Sequence, residues 1–185
     1  LASDPRVPLL SATGSTRMGR AVAPVVANRL GRSLLELGGN NAAIICPSAD
    51  AALVERGVLF SAVGTAGQRC TTLRRAFVHE SIYDTLVPRL ASSYARVRVG
   101  NPLESTTLVG PLIDAGAMKA MESALASARS DGGRVHGGGR VAVAGCEGGC
   151  YVAPALVEMP AQSSIVCKET FAPILYLLTY RDLDE

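Results

Sequence analysis

The order of apolar and polar residues predicts short strands alternating with longer helices. Strand-like apolar runs occupy residues 9–13, 33–37, 41–46, 75–79, 97–99, 152–157, 164–167 and 174–180. Apolar residues spaced three or four positions apart predict helices over 18–30, 81–96 and 114–129, and a further one from a cap at Ser48 or Asp50 toward Gly67. Helices of about 12 to 16 residues between strands are typical of an α/β protein whose mostly parallel open sheet is flanked by helices.

Two of these segments are predicted to be buried. In the predicted strand at 41–46, every residue after Asn41 is apolar, which predicts that this strand is buried. The helix toward Gly67 has almost no charge beyond Glu55 and Arg56, so we expect it to be buried on most sides. A Gly-rich stretch at 132–149 predicts a hairpin or loop.

Composition argues against several classes of protein. The chain has 185 residues, a formal net charge of +2, 48% hydrophobic and only 4% aromatic residues. So small a charge and so few aromatics argue against a nucleic-acid partner. No apolar run approaches the roughly 18 to 20 residues of a membrane helix. We therefore expect a soluble globular protein with neither a nucleic-acid nor a membrane partner.

The cysteines indicate the redox compartment, and the first and last residues favour a fragment. Five cysteines without a secretion signal favour a reducing cytoplasm over a disulfide framework. Cys146 and Cys150 are the one close pair, and His136 is the only other candidate ligand, so no metal site is expected. The chain opens at Leu1 without a methionine and ends at Glu185 without a stop signal. We expect an internal piece of a longer protein.

A strand-to-helix turn at 13–19 is the first candidate binding feature. Gly14 permits a close backbone approach, and Ser15 adds a hydroxyl group at a helix start. Unpaired N–H groups and the positive end of the helix dipole favour a phosphate at such a position. The G-x-G-x-x-G spacing and the P-loop lysine are missing. The residues alone leave a pyrophosphate site and an ordinary Ser-capped helix open.

Two glutamates adjoin predicted turns. Glu36 ends a strand before Gly38-Gly39, where burial would make its carboxylate a usable general base; an edge glutamate beside a turn is the alternative. Glu169 has the chemistry to accept both hydroxyls of a ribose, with Phe171 packing against a flat ring. A salt-bridged turn is the alternative there.

Cys70 is the candidate nucleophile. It follows Arg69, whose charge favours a thiolate, whereas a lone cysteine is more often a small buried hydrophobe. A Cys-His hydrolase or acyltransferase would need His79 or His136 as partner, and both look structural.

Four segments together resemble the aldehyde dehydrogenase superfamily. They are, in order along the chain, Thr13–Thr16, Glu36–Gly39, Gly67–Cys70 and Glu169–Phe171. The resemblance implies an NAD-dependent enzyme, with NADP not excluded, that oxidises a small-molecule aldehyde and whose parent is a homodimer or homotetramer. It further implies the end of an NAD-binding domain at residues 1–37, followed at 38–185 by a catalytic domain that is incomplete at its C-terminus.

The resemblance also implies a role for each matching residue. Cys70 corresponds to the family's nucleophile and Glu36 to its general base. The cofactor contacts correspond to Gly14 and Ser15 at the pyrophosphate, Leu37 at the nicotinamide carboxamide, Glu169 at the nicotinamide ribose and Phe171 beside it.

A finer likeness is to the antiquitin-like branch, which oxidises α-aminoadipic semialdehyde. The residues that carry it are Glu36–Asn41, Gly64–Arg75 and Glu169–Tyr176. Two other hypotheses stay open beside this enzyme. The chain is a folded but inactive piece without a complete cofactor site, or it is a cysteine hydrolase or acyltransferase built on Cys70.

Overall fold

The computed structural model describes residues 1–184, and the chain divides into two compact units. The first unit covers Leu1–Gly39, and the second begins at Asn40. The first contains β1 (Leu9–Thr13), α1 (Thr16–Asn28) and β2 (Arg32–Glu36). β1 and β2 pair in parallel, and α1 supplies the crossover that a parallel pair requires.

The second unit is built on one five-stranded sheet. Its strands are β3 (Asn41–Ile45), β4 (Leu73–His79), β5 (Arg134–Gly137), β6 (Ala155–Glu158) and β7 (Ile174–Tyr180). Its helices are α2 (Ala51–Val63), α3 (Glu80–Ala95) and α4 (Ala115–Ser130). The strand order is β3-β4-β7-β6-β5, and within the described residues β5–β6 is its one antiparallel pair. The expected mostly parallel sheet flanked by helices is confirmed.

Each helix of the second unit begins at a side chain that accepts hydrogen bonds from its first turn. Asp50 accepts from two backbone amides of α2, and Asp114 accepts from one of α4. His79 Nδ1 accepts from the amide of Ser81 at the start of α3. Because these caps satisfy N–H groups that a helix leaves unpaired, they fix where each helix starts. Of the two caps expected for α2, Asp50 is the one observed.

The core of the second unit centres on β4 and β7. Residues 174–178 of β7 are all buried, as are alternate positions of β4. Each buried aliphatic side chain contributes about 1.5–3 kcal/mol relative to exposure. Since β4 and β7 are adjacent and parallel, the segments that enter them, 64–72 and 167–173, meet at the same edge of the sheet. The rigid centre of the unit therefore supports both segments.

Two predicted strands are wrong. Residues 164–167 form a turn, in which the amide of Cys167 donates to the carbonyl of Ser163. Val166 is fully buried, so this apolar run marks a turn packed into the core rather than a strand. Residues 97–99 contribute a single isolated bridge, between Val99 and Val109.

Burial was overestimated for two elements of the described chain. β3 is an edge strand that pairs on one side, and Ile44 within it is 58% exposed. α2 has apolar residues on most of its sides, yet one side alone faces the sheet, so Leu53 and Phe60 are exposed.

The end of α1 also differs from the prediction. It ends earlier than expected because Leu30 takes a left-handed φ of 59°. Across residues 1–184, no helix has both the length and the apolar character needed to span a membrane.

Candidate functional site

In the first unit, the glycine turn and Glu36 lie side by side. Thr13 and Glu36 are partners in the parallel ladder, and the amide of Gly14 donates to the carbonyl of Glu36 at 3.0 Å. Both strands therefore end at the same edge of this small sheet. The turn and the glutamate were separate candidates in the sequence, and the structure brings them together.

Ser15 is the N-cap of α1. Its Oγ accepts from the amide of Met18 at 3.1 Å, which matches the Ser-capped helix that the sequence left open. The cap does not exclude an anion, because the geometry of any helix start leaves the amides of Thr16 and Arg17 without intrahelical partners. Gly14 and Ser15 are both exposed, so the turn is accessible to a ligand.

Glu36 and Leu37 differ in how they are held. Glu36 is exposed in the first unit, so the burial on which its use as a general base was argued is absent from the described residues. Leu37 packs so closely on Gly19 that a Cβ at Gly19 would lie 2.6 Å from Leu37 Cδ1. That contact holds the backbone of Leu37 against α1.

In the second unit, Cys70 lies on a loop that begins with an unusual turn. α2 ends in a short 3₁₀ turn at Gly64–Gly67, in which Thr65, Ala66 and Gly67 all take left-handed φ angles of 55°, 52° and 67°. Residues with a side chain adopt this conformation at a cost of about 1–3 kcal/mol, and such strain clusters at functional sites. Cys70 itself is exposed.

Asn41 holds the backbone on the C-terminal side of this loop. Its Nδ2 donates to the carbonyl of Cys70 at 2.6 Å and to the carbonyl of Thr72 at 2.9 Å. The hydroxyl of Thr72 accepts in turn from the amide of Arg69 at 3.2 Å. One amide side chain at the start of β3 therefore fixes the carbonyls on both sides of Thr71.

Arg74 holds the N-terminal side of the same loop. It is 2% exposed, and its Nη2 donates to the carbonyl of Gly67 at 3.2 Å and to that of Arg69 at 3.1 Å. Burial lowers the pKa of Arg74, whereas the neighbouring charges of Glu169 and Cys70 oppose that shift. The guanidinium group therefore holds two backbone carbonyls of the loop that carries the candidate nucleophile.

Arg74 also contacts the segment that carries Glu169 and Phe171. Its Nη1 donates to the carbonyl of Thr170 at 2.7 Å and to that of Ala172 at 3.3 Å. Its Nη2 lies 3.4 Å from Glu169 Oε1, and its Cζ lies 5.4 Å from the centroid of the Phe171 ring. The structure thus brings the Cys70 loop, Glu169 and Phe171 together around a buried arginine.

Arg69, the cation expected to favour a thiolate, has its side chain engaged elsewhere. Its Nε donates to Thr65 Oγ1 at 2.8 Å, and its guanidinium group lies 5.6 Å from the centroid of the Phe60 ring. Arg74, four positions after Cys70, is the arginine that holds the backbone of the Cys70 loop.

The two histidines make structural contacts. His79 caps α3, and His136 Nε2 lies 2.8 Å from Glu158 Oε1. Burial alone would raise the pKa of Glu158, but hydrogen bonds from His136, Arg134 and Tyr83 outweigh it and hold that pKa below its ordinary value. These contacts give a Cys-His hydrolase no support. Within residues 1–184, no cluster of three or more His, Cys, Asp or Glu side chains forms a metal site.

Asn41 and Arg74 are functional candidates that sequence reasoning missed. For Arg74, a signal was present: a charged residue alternates with the apolar Ala76 and Val78 on one face of the strand, which requires partners for its charge. For Asn41, the signal is weaker, since it stands at the first position of a predicted strand and directly after Gly38-Gly39-Asn40, where a polar residue is ordinary.

The family model described as the aldehyde dehydrogenase family matches residues 1–185. Among curated relatives, the alpha-aminoadipic semialdehyde dehydrogenase of Bos taurus is 52% identical over 186 residues, covering 100% of this chain and 34% of that protein. The aldehyde dehydrogenase family 7 member A1 of Pisum sativum is 44% identical, covering 100% of this chain and 36% of that protein. The chain thus spans about a third of the length of these relatives.

Solved structures agree with the sequence relatives. The betaine aldehyde dehydrogenase of Staphylococcus aureus in complex with NAD+ matches with a TM-score of 0.94 and 27% identity, over 100% of this chain and 37% of that chain. The lactaldehyde dehydrogenase of Escherichia coli matches with a TM-score of 0.92 and 34% identity, over 100% and 38%.

Proposed function

Because this chain belongs to the aldehyde dehydrogenase family, we propose that its parent protein oxidises an aldehyde to a carboxylic acid with NAD(P), using Cys70 as the nucleophile. One observation carries this proposal above the others. Cys70 is an exposed thiol on a loop whose backbone is fixed from both sides, beside the segment that carries Glu169 and Phe171. Nucleophilic catalysis needs such an accessible group on an immobile support.

The proposed reaction begins at Cys70. Its thiolate attacks the aldehyde carbon, so that a C–S bond forms and the carbonyl oxygen becomes an oxyanion. Backbone N–H groups at the Cys70 loop are suited to stabilise that oxyanion. The product of this step is a thiohemiacetal on Cys70.

We propose that residues of the described chain contribute to a dinucleotide site. The start of α1, with Gly14 and Ser15 exposed, suits a pyrophosphate, and Leu37, Glu169 and Phe171 are proposed to hold the nicotinamide end. Bound there, NAD(P) would supply the hydride acceptor that turns the thiohemiacetal into a thioester. The relative from Staphylococcus aureus, solved with NAD+, supports NAD(P) in general terms.

Glu36 is proposed to act after the thioester forms. It takes a proton from a water molecule, whose oxygen attacks the thioester carbonyl and releases the acid and the Cys70 thiolate. A thioester suits this step because a thiolate leaves far more readily than an alkoxide. In Glu36→Gln, an acyl-enzyme should therefore accumulate on Cys70, seen as an added mass after reaction with aldehyde and NAD; free thiol alone would contradict the assignment.

We propose α-aminoadipic semialdehyde as the substrate. The relatives from Bos taurus and Mus musculus that carry this name are 52% and 50% identical to the chain. We further propose that the parent is a homodimer or homotetramer and that it works in a reducing compartment such as the cytoplasm. All five cysteines are free thiols, which supports a reducing compartment.

Cys70→Ala tests the proposal in the full-length parent. We expect loss of α-aminoadipic semialdehyde oxidation with NAD affinity retained, because only the nucleophile is removed. Cys146→Ala is the matched control, since it removes a thiol from a loop remote in sequence from every candidate residue, and its turnover should be unchanged. Near-normal oxidation by Cys70→Ala would refute the assignment.

A second candidate concerns the 185-residue chain by itself. Because it spans about a third of its relatives' length, it is proposed to fold yet lack a complete cofactor site. Calorimetric titration of the isolated chain with NAD decides this: low-micromolar or tighter binding would contradict it.

A further inference from the structure

We propose that Arg74 is a positioning residue for this reaction: it fixes the Cys70 loop against the segment 169–172. The inference rests on the proposed function, because it takes Cys70 as the nucleophile and Glu169 as a cofactor contact.

The two terminal nitrogens of Arg74 donate hydrogen bonds to different segments. Nη2 donates to the carbonyls of Gly67 and Arg69, on the Cys70 loop. Nη1 donates to the carbonyls of Thr170 and Ala172, on the other segment. A rigid planar group that is bound on both sides sets the separation of the two backbones, as a flexible ammonium group would not.

A glycine confirms how close the two segments are. A Cβ on Gly67 would lie 2.3 Å from the carbonyl oxygen of Ala172, so the backbones are in direct contact there. Arg74 bonds to both of these residues, at 3.2 Å and 3.3 Å. Its guanidinium group therefore bridges the two segments at a point where their backbones are in contact.

The charge of Arg74 is compensated by Glu169. A side chain that is 2% exposed loses most of its hydration, and a buried cation needs opposite charge. Glu169 Oε1 lies 3.4 Å from its Nη2, so this ion pair ties Arg74 to the segment 169–172 in addition to the two hydrogen bonds of Nη1.

The experiment tests this bridge in the full-length protein. Arg74→Gln removes the guanidinium group, whereas Arg74→Lys keeps a positive charge and loses the planar fork. Arg89→Gln is the control, because it breaks an arginine–carboxylate pair with Glu55 between α2 and α3. The readouts are the rate of Cys70 alkylation by iodoacetamide, followed on its peptide by mass spectrometry, and the KM for NAD against kcat.

We expect Arg74→Gln to change the rate of Cys70 alkylation, because the Cys70 loop is then no longer tied to the segment 169–172. Arg74→Lys should raise the KM for NAD and lower kcat about tenfold or more, because the planar bridge is lost. Arg89→Gln should change none of these. An unchanged alkylation rate in Arg74→Gln, or unchanged kinetics in Arg74→Lys, would overturn the proposal.

Two further outcomes are distinguishable. If Arg74→Gln does not fold, shown by loss of its cooperative thermal transition, Arg74→Lys still tests the bridge, and unchanged kinetics there overturn the proposal. The alkylation measurement needs no aldehyde oxidation. A failure of the proposed function, with Cys70→Ala still active, is therefore separate from a failure of the role of Arg74.

Discussion

Gly67→Ala is the substitution that most directly tests the geometry of the Cys70 loop. The φ of Gly67 is +67°, and an added Cβ would lie 2.3 Å from the carbonyl oxygen of Ala172 and 2.5 Å from the nitrogen of Pro173. The variant therefore meets two separate penalties. The left-handed conformation costs an L residue about 1–2 kcal/mol. The collision is with backbone, so no side-chain rotation relieves it.

The collision sets the size of the effect. A favourable contact between carbon atoms needs roughly 3.5 Å, so the loop must retreat by about 1 Å from Ala172. Overpacking of this kind costs about 1–3 kcal/mol. We expect the two penalties together to lower the free energy of unfolding by about 2–5 kcal/mol. A shift of about 1 Å at a reacting group can lower turnover on the order of 100-fold.

Gly145→Ala is the matched control. Gly145 has a φ of +75°, but a Cβ there would meet nothing within 4 Å. It therefore carries the backbone penalty alone, about 1–2 kcal/mol. Urea unfolding of both variants, with iodoacetamide alkylation of Cys70, separates strain from collision. Equal losses in the two variants, or an unchanged alkylation rate in Gly67→Ala, would show that contact with Ala172 does not constrain the loop.

Two further predictions concern other contacts. Asn41→Ala leaves the carbonyls of Cys70 and Thr72 without their common donor. We therefore expect the free energy of unfolding, measured in urea, to fall by about 1–3 kcal/mol and the rate of Cys70 alkylation to change. If both stay unchanged, Asn41 does not hold this loop. Glu158 has a depressed pKa in the folded state, so its contribution to stability is present above its unfolded value near 4.5 and is lost as the pH falls through the folded value. Glu158→Gln should therefore flatten the acid limb of a stability–pH curve, and an unaltered limb would contradict this.

The sequence predicted helices and strands correctly where the apolar pattern extends over many residues. The strand at 174–180 and the helices beginning near residues 16, 51, 80 and 115 are predicted by apolar spacing, because a whole face must pack on the sheet. The error at 164–167 has the opposite cause. Four residues are too few to show a period, and burial of Val166 in a turn gives the same apolar run as a short strand.

The residues of the candidate site also differ in whether the sequence could predict them. The Gly14–Ser15 turn, Glu36 and Cys70 stood out because local chemistry marks them. Arg74 and Asn41 did not, because their roles depend on hydrogen bonds to residues as far as 98 and 31 positions away along the chain. Such contacts arise only when β3, β4 and β7 assemble, and no local pattern encodes them.

The hydrogen bonds from Arg74 and Asn41 to carbonyls of the Cys70 loop also orient the amide groups of that loop. In a trans peptide the C=O and the following N–H point in opposite directions. Arg74 binds the carbonyl of Arg69 from the buried side, so the N–H of Cys70 is turned away from Arg74. Asn41 binds the carbonyl of Cys70 and orients the N–H of Thr71 in the same manner. One buried side chain, Arg74, and one exposed side chain, Asn41, thereby orient backbone donors beside an exposed thiol, where the oxyanion proposed to form on Cys70 would require them.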